Sequence, residues 1–384
     1  MKLKHGLHLA YCTNIHRGED WAQTFASLKT DVLAVRDRVA PGRAYAIGLR
    51  LSELAARELS DPATLEAFQQ WLADEDCYVF TINGFPFGNF HGTRVKEQVY
   101  VPDWTDPARL EYTNRLFDLI AQLAPDGVEG SVSTLPGSFK EFIQDDSQER
   151  VIRENIWRCA EHIAALSDRT GKPLHLGLEP EPLGYFETSA ETVRFFEELA
   201  AEHPGDSRPT EHLGVNYDTC HLAVEYEAAD AAIGAIRSAG IKISKLHLSA
   251  ALKVQPEPAV KAQLAPFQED VYLHQVIERL PEGELVRHRD LDVALTADND
   301  AVEWRIHFHI PLHSPDGDWF ASTRDHIGGV LDELQADPSL CTHLEMETYT
   351  WEVLPAELKK REVVDQLVGE YEWTLSQLAE RGLA

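Results

Sequence analysis

Four short apolar segments of this sequence each end in a side chain that can bind a cation or move a proton. Leu174–Glu179 ends in Glu179 and continues into Pro180 and Glu181. Glu211–Asp218 ends in Asp218, with His221 three residues on. Ile241–Leu248 carries His247, and Thr342–Thr348 carries Glu345 and Glu347 on either side of Met346. Side chains alternate along a strand, so Glu179 faces away from Leu176 and Leu178, while Glu345 and Glu347 face away from Leu344 and Met346. Strands of this kind lying side by side bring a Glu, an Asp, a His and a Glu to one end of a sheet, with Glu181 and Glu345 as rival carboxylates. Two carboxylates about 4 Å apart repel by about 4 kcal/mol at a partly shielded site, and a divalent cation between them removes that cost. Three carboxylates and one imidazole form a moderately hard donor set. It suits Mn²⁺, Mg²⁺ or Fe²⁺, and Zn²⁺ or Co²⁺ also fit, so one divalent ion is expected. An Asp at a strand end is also a common cap of the following helix, so Asp218 has a structural reading too.

Two further stretches offer substrate contacts. The loop after Cys77–Asn83 is long and rich in aromatics and glycines; Phe85, His91 and Trp104 are its candidates for covering a bound molecule. The stretch Val302–His313 reads as a strand in which His307 and His309 share one face, and both are candidates for substrate binding.

The elements that must position these residues alternate between strand and helix. Strand-like runs are Leu7–Asn14, Ala44–Arg50, Cys77–Asn83, Val128–Thr134 and the four segments above. Helical spacing fills Trp21–Val39, Ala63–Leu72, Pro107–Leu123, Ser147–Arg169, Ser189–Glu202 and Glu362–Leu378. Eight strands alternating with helices predict an α/β fold, a (β/α)8 TIM barrel, whose chemistry sits at the C-terminal ends of the strands. The whole chain, 1–384, is expected to be one barrel domain, with 252–325 inserted at its top between strands seven and eight. Within the insertion, Val286–Leu295 and Val302–Leu312 are expected to form a β-hairpin, because a ninth parallel strand does not fit an eight-stranded barrel.

Charge narrows the partners. The 384 residues carry 35 Lys and Arg against 64 Asp and Glu, a net charge of −29, which disfavours nucleic acid and anionic membrane surfaces. Five well-separated cysteines without a CxxC pair suggest neither a disulfide framework nor a thiolate zinc site. No apolar run is long enough for a membrane span and the first residues lack a signal-peptide core, so a cytoplasmic location and a small-molecule substrate are expected.

Leu178-Glu179-Pro180, Asp218-Thr219-Cys220-His221, the histidine of the seventh strand and Met346-Glu347-Thr348-Tyr349 together resemble the xylose-isomerase-like barrels, the superfamily of sugar isomerases, epimerases and abasic-site endonucleases. Thr81–Pro86, Tyr100–Trp104, Ser131–Gly137 and Trp304–Pro311 are similar, more narrowly, to the EboE-type metabolite-traffic barrels of the Ebo gene cluster. The resemblance implies metal ligands at Glu179, Asp218, His247 and Glu347, proton transfer by Glu179 and Glu347, and a substrate-hydroxyl contact at His221. It implies a metal-dependent isomerase or epimerase in secondary-metabolite maturation or traffic, with other Ebo-cluster proteins as partners. The basic residue that the family carries just beyond the seventh-strand histidine is absent from 247–251. Two alternatives follow from the same residues. One is a metal-dependent phosphoesterase of the endonuclease-like branch; the other is a non-catalytic metabolite-binding protein.

Overall fold

The computed structural model describes residues 1–91, 94–298, 300–350 and 362–384. Seven strands come first: β1 (His8–Tyr11), β2 (Tyr45–Arg50), β3 (Cys77–Asn83), β4 (Gly130–Thr134), β5 (Leu174–Leu178), β6 (Leu213–Asp218) and β7 (Lys242–Leu248). Five short ones follow: β8 (Leu252–Val254), β9 (Val276–Arg279), β10 (Leu285–His288), β11 (Glu303–Ile306) and β12 (Ala321–Ser322). β13 (His343–Met346) is the last. The first seven and β13 form one sheet in the order β1-β13-β7-β6-β5-β4-β3-β2, and all its ladders are parallel. The parallel bridge between Cys12 and Gly48 links β1 to β2 and brings the ring to near closure. This is the (β/α)8 barrel expected from the alternation.

Both faces of such a sheet are covered, so its strands are buried at nearly every position. The helices start where polar side chains cap them. Ser52 accepts from the Ala55 amide, Asp61 from Thr64, Asp106 from Ala108 and Thr188 from Glu191. The longest, Asp146–Thr170, ends on Gly171 in the left-handed conformation at φ 68°. Gly48 is required by close approach, because a Cβ there would lie 2.0 Å from Glu345 Oε1 and 2.5 Å from the Tyr11 carbonyl.

Between β7 and β13 the five short strands make an antiparallel sheet in the order β10-β9-β11-β8-β12. The expected hairpin is corrected here: 286–295 and 302–312 do not pair with each other. β9 pairs with β10 on one side and with β11 on the other. The physical reason lies at two breaks. Asp290 caps the helix Leu291–Thr296, which ends the first segment as a strand after His288. In the second, the Phe308 amide turns back to the Ile306 carbonyl and Ile310 bonds Ala250, so the ladder stops at Ile306. No helix among the described residues is long and apolar enough to cross a membrane. All five cysteines are free and buried.

Candidate active site

β5, β6, β7 and β13 are neighbours in the barrel, so the ends of these strands bring Glu179, Asp218, His247 and Glu347 together. One donor atom from each lies within 4.8 Å of every other, and all four residues are buried. His247 is the centre of the group. Its Nδ1 lies 3.2 Å from Glu179 Oε1, 3.4 Å from Glu347 Oε2 and 3.6 Å from Asp218 Oδ2. Its Nε2 lies 2.7 Å from Glu345 Oε2, which also accepts from Lys245 Nζ at 2.6 Å. Glu345 therefore orients the imidazole from behind, in a pair with a fully buried lysine, while Glu347 faces the other three donors.

Asp218 does two jobs. Its Oδ1 accepts from the amides of Cys220 and His221 and from Ser249 Oγ at 2.6 Å, capping the helix Thr219–Val224. Its Oδ2 is buried and has no hydrogen-bond partner among the described residues, with His247 Nδ1 the nearby charge at 3.6 Å. Amide side chains hold the glutamates: Asn216 Nδ2 donates to Glu179 at 2.8 Å, and Asn14 and Asn83 donate to Glu347 Oε1 at 2.8 and 3.1 Å. The asparagines were not singled out in the sequence, where nothing distinguishes them from turn residues.

The electrostatics express three acids crowded around one base. Burial raises the Glu347 carboxyl to about 8, with Glu179 and Asp218 adding to the effect and His247 opposing it. Burial acts the same way on Asp218, but His221 and His247 outweigh it and hold the group well below the usual carboxylate range. For His247, burial and Lys245 favour the neutral ring, yet Glu347, Glu179 and Asp218 raise it well above the ordinary imidazole value. Burial raises Glu345 as well, but Lys245 and His247 prevail and bring it to about 2. A bare Oδ2, a nitrogen turned toward three carboxylates and a carboxylate fixing that ring from behind are what a divalent cation requires, so the residues fit a metal ion.

Above the quartet, three imidazoles meet. The His221 Nδ1 donates to the Pro180 carbonyl at 3.0 Å and the His309 Nδ1 to the Glu347 carbonyl at 3.0 Å. Gln275 Nε2 donates to the Pro182 carbonyl, which turns Oε1 toward His307 Nδ1 at 2.8 Å. All three rings thus hold a proton on Nδ1. Their Nε2 atoms face each other, with His307 at 3.2 Å from both His221 and His309. One additional proton turns one of these contacts into a hydrogen bond. Burial opposes it on His221, but Asp218, Glu181 and Glu179 favour it there, whereas burial keeps His307 well below the ordinary value and His309 at about 4.

These groups open on a cleft of about 570 Å³ that Glu179, Glu347, His221, His307 and Phe85 all line. Asp218 and His247 lie beneath it and are not part of its wall. His309 is also behind the wall. Glu181 lines the cleft, but it bonds Tyr100 Oη at 2.5 Å and lies 3.8 Å from His307, in a separate group with His221 and His307. Burial raises its carboxyl to about 7.

Two of the expected substrate contacts, Trp104 and His91, are not part of the cleft wall. Trp104 is fully buried away from the cleft, with Nε1 on Thr134 Oγ1 at 3.2 Å and its carbonyl on Asn155, so it packs between strand and helix. His91 lies behind the wall, with Nε2 at 2.6 Å from the Asn14 carbonyl and Nδ1 at 3.0 Å from Tyr272 Oη; it positions Asn14 and Tyr272, which do line the cleft. The aromatic lining comes instead from Phe85, Phe90, Tyr100, Tyr272 and Tyr349. The loop that carries Phe85 is pinned by Arg109, whose guanidinium donates to the carbonyls of Gly84, Phe85 and Pro102.

No protein-family model and no curated protein matches the chain. Among solved structures it is similar to an L-ribulose 3-epimerase, at 15% identity and a TM-score of 0.53, over 100% of this chain and 96% of that one. It is also similar to the probable 3-DHS dehydratase AsbF, involved in petrobactin synthesis, from Bacillus anthracis. That likeness has 14% identity and a TM-score of 0.50, over 98% of this chain and 99% of that one. At such identities the likeness shows the fold alone, a (β/α)8 barrel.

Proposed function

We propose that the chain is a metal-dependent isomerase or epimerase acting on a small polyhydroxy carbonyl metabolite. One observation carries the reading: of the four clustered donors, the two glutamates line the cleft while Asp218 and His247 lie beneath them. Held by Glu179, Asp218, His247 and Glu347, a divalent ion would stabilise the negative charge that develops on a substrate carbonyl oxygen during enolisation. Glu179 and Glu347 then divide the proton work. One removes the proton from the carbon next to the carbonyl and the other returns a proton to the opposite face. Asn216, Asn14 and Asn83 keep both carboxylates aimed into the cleft. His221 and His307 meet substrate hydroxyls at the cleft wall, His309 supports His307 from behind, and Phe85 and Phe90 exclude water. The likeness to an L-ribulose 3-epimerase supports a sugar-like substrate.

The narrower place of this reaction, in secondary-metabolite maturation or traffic beside other Ebo-cluster proteins, rests on the sequence motifs alone. The test is solvent deuterium exchange: metal-loaded protein incubated with a panel of ketoses and aldoses in D2O and followed by NMR. Exchange at the carbon next to the carbonyl, lost in Glu179→Gln and in Glu347→Gln, is the expected result. Ion binding with neither exchange nor turnover on any substrate would replace the reading with a metabolite carrier. A second reading, metal-dependent phosphoester hydrolysis, is favoured by the abutting Nε2 atoms of His221, His307 and His309, which offer nitrogen donors beside the quartet. It requires an ion that disappears in the His307→Ala, His309→Ala double variant.

A further inference from the structure

The opposite end of the barrel holds a second group of metal-type donors. Glu129 precedes β4, His175 is the second residue of β5 and His343 is the first of β13. All three therefore sit at the N-terminal ends of the strands, away from the quartet. One ring nitrogen of each histidine and a Glu129 carboxylate oxygen lie within 4.8 Å of one another. The two rings are 5.2 Å apart, and both histidines are 1% exposed.

Hydrogen-bond accounting shows which atoms are available. Ser131 Oγ gives its proton to Thr81 Oγ1, so at 2.8 Å it accepts from His343 Nδ1 across the barrel interior. His343 then carries its proton on Nδ1, and Nε2 is a lone pair. That Nε2 is buried and has no hydrogen-bond partner among the described residues. His175 lies between Ser244 Oγ, 2.6 Å from Nδ1, and Glu129 Oε2, 3.2 Å from Nε2. In the metal-free chain Nε2–H donates to Glu129 and Nδ1 accepts from Ser244; an ion taking the Nε2 position shifts the ring proton to Nδ1, where Ser244 Oγ accepts it. Burial keeps both rings below the ordinary imidazole value, and the His175 hydrogen bond, followed by Lys242, holds Glu129 at about 2. Both rings are thus neutral and Glu129 is ionised, so an ion requires only that the His175 proton move from Nε2 to Nδ1. A solvent-open cleft lined by Glu129, Lys242, Ser244 and Cys341 provides access.

We propose that Glu129, His175 and His343 form a second cation site, at the base of the barrel, that takes a zinc-type divalent ion through His175 Nε2, His343 Nε2 and the Glu129 carboxylate. Two imidazoles and one carboxylate are a borderline donor set, softer than the quartet, and prefer Zn²⁺ or Co²⁺ to Mg²⁺. Ligand bonds of about 2.0–2.1 Å bring donors to about 3–3.5 Å from one another; His175 Nε2 and Glu129 Oε2 already lie 3.2 Å apart, and the partly exposed Glu129 can adjust toward an ion. Lys242 competes, since its Nζ lies 3.4 Å from the same Glu129 oxygen; being partly exposed itself, it can yield toward solvent. Both ligating rings are already oriented through Nδ1 by serine hydroxyls, the arrangement that ligating histidines need.

The test is Zn²⁺ and Co²⁺ titration of the full chain stripped with chelator, with metal content per chain read by elemental analysis. Both the parent protein and the His247→Ala variant, in which the quartet is broken, are titrated. The expected result is that Glu129→Gln, alone or with His343→Gln, removes one ion per chain in both backgrounds, and that Lys242→Met tightens binding of that ion at least severalfold. If the double variant does not fold, Glu129→Gln alone decides, because its side chain is partly exposed. Ion content and affinity unchanged by Glu129→Gln in both backgrounds would overturn the site whether or not the quartet binds metal. An affinity unchanged in Lys242→Met would also count against it.

Discussion

The two glutamates of β13 and the turn after it differ in what their loss should do. Glu345 is fully buried and is shared by Lys245 Nζ at 2.6 Å and His247 Nε2 at 2.7 Å. Glu345→Gln leaves the Lys245 ammonium buried without its counter-charge, and breaking a buried pair from one side costs about 3–5 kcal/mol. At about 2.1 cal/mol/K per residue, a chain of this length has an unfolding entropy of about 0.8 kcal/mol/K, so Tm should fall by roughly 4–6 °C. Because Glu345 orients the ring without facing the other donors, ion affinity should fall by about 10–100-fold, the usual effect of removing a ligand's own partner. Glu347 behaves in the opposite way. With its carboxyl at about 8 it is mostly neutral at neutral pH in the metal-free chain, and Gln keeps the oxygen that Asn14 and Asn83 bond. Glu347→Gln should therefore leave the metal-free Tm within about 1 °C while abolishing tight ion binding. Calorimetric melting of the metal-free variants and isothermal titration with Mn²⁺ or Zn²⁺ measure both. The reasoning fails if Glu345→Gln changes neither Tm nor affinity, or if Glu347→Gln destabilises the metal-free fold as much as Glu345→Gln does. Restoring Tm with the Lys245→Met, Glu345→Gln pair would trace the loss to the stranded ammonium.

Further outcomes follow from the same geometry. Asp218→Asn and His247→Ala should each lose the quartet's ion with the far-UV spectrum unchanged; an unaltered ion count at that site in both would refute the assigned ligands. Ion affinity should weaken steadily as pH falls from about 9 to about 6, because His247, raised by its carboxylates, and Glu347, at about 8, must release protons on binding. An affinity independent of pH over that range would contradict both protonation states. The His307→Ala, His309→Ala variant should raise KM severalfold and leave the number of bound ions unchanged, as read by elemental analysis. Arg109→Met strands the carbonyls of Gly84, Phe85 and Pro102 and should cost roughly 2–4 kcal/mol, a drop in Tm of about 3–5 °C. A Tm within about 1 °C of the parent would show that the Phe85 loop is held by other contacts.

Much of this molecule was readable in one dimension because two of its regularities are local. Apolar runs flanked by caps and turns mark each strand and helix, and the period-two alternation at Leu178-Glu179 and Leu344–Glu347 determines which side chains turn into the barrel. Together they yield the eight-stranded α/β barrel and a shared end for Glu179, Asp218, His247 and the Glu345/Glu347 pair, with the strand ends meeting because a right-handed parallel alternation leaves them side by side. What they do not determine is which of two inward-facing carboxylates on one strand faces which neighbour. Glu345 and Glu347 are equivalent by period; only the stagger of β13 against β7 puts one on His247 Nε2, with Lys245, and the other on the Nδ1 side. The same holds for residues with no periodic signature. Asn14, Asn83 and Asn216 gain a role from carboxylates up to 333 residues away in sequence, and Trp104 and His91, promising by type, lie behind the cleft wall. In the insertion, a long strand-like run is cut at Ile306 by a turn whose partner, Ala250, comes from just beyond β7. Local pattern determined the elements and the direction of their side chains. Register and long-range hydrogen bonding, which depend on which strands become neighbours, decided which atoms meet.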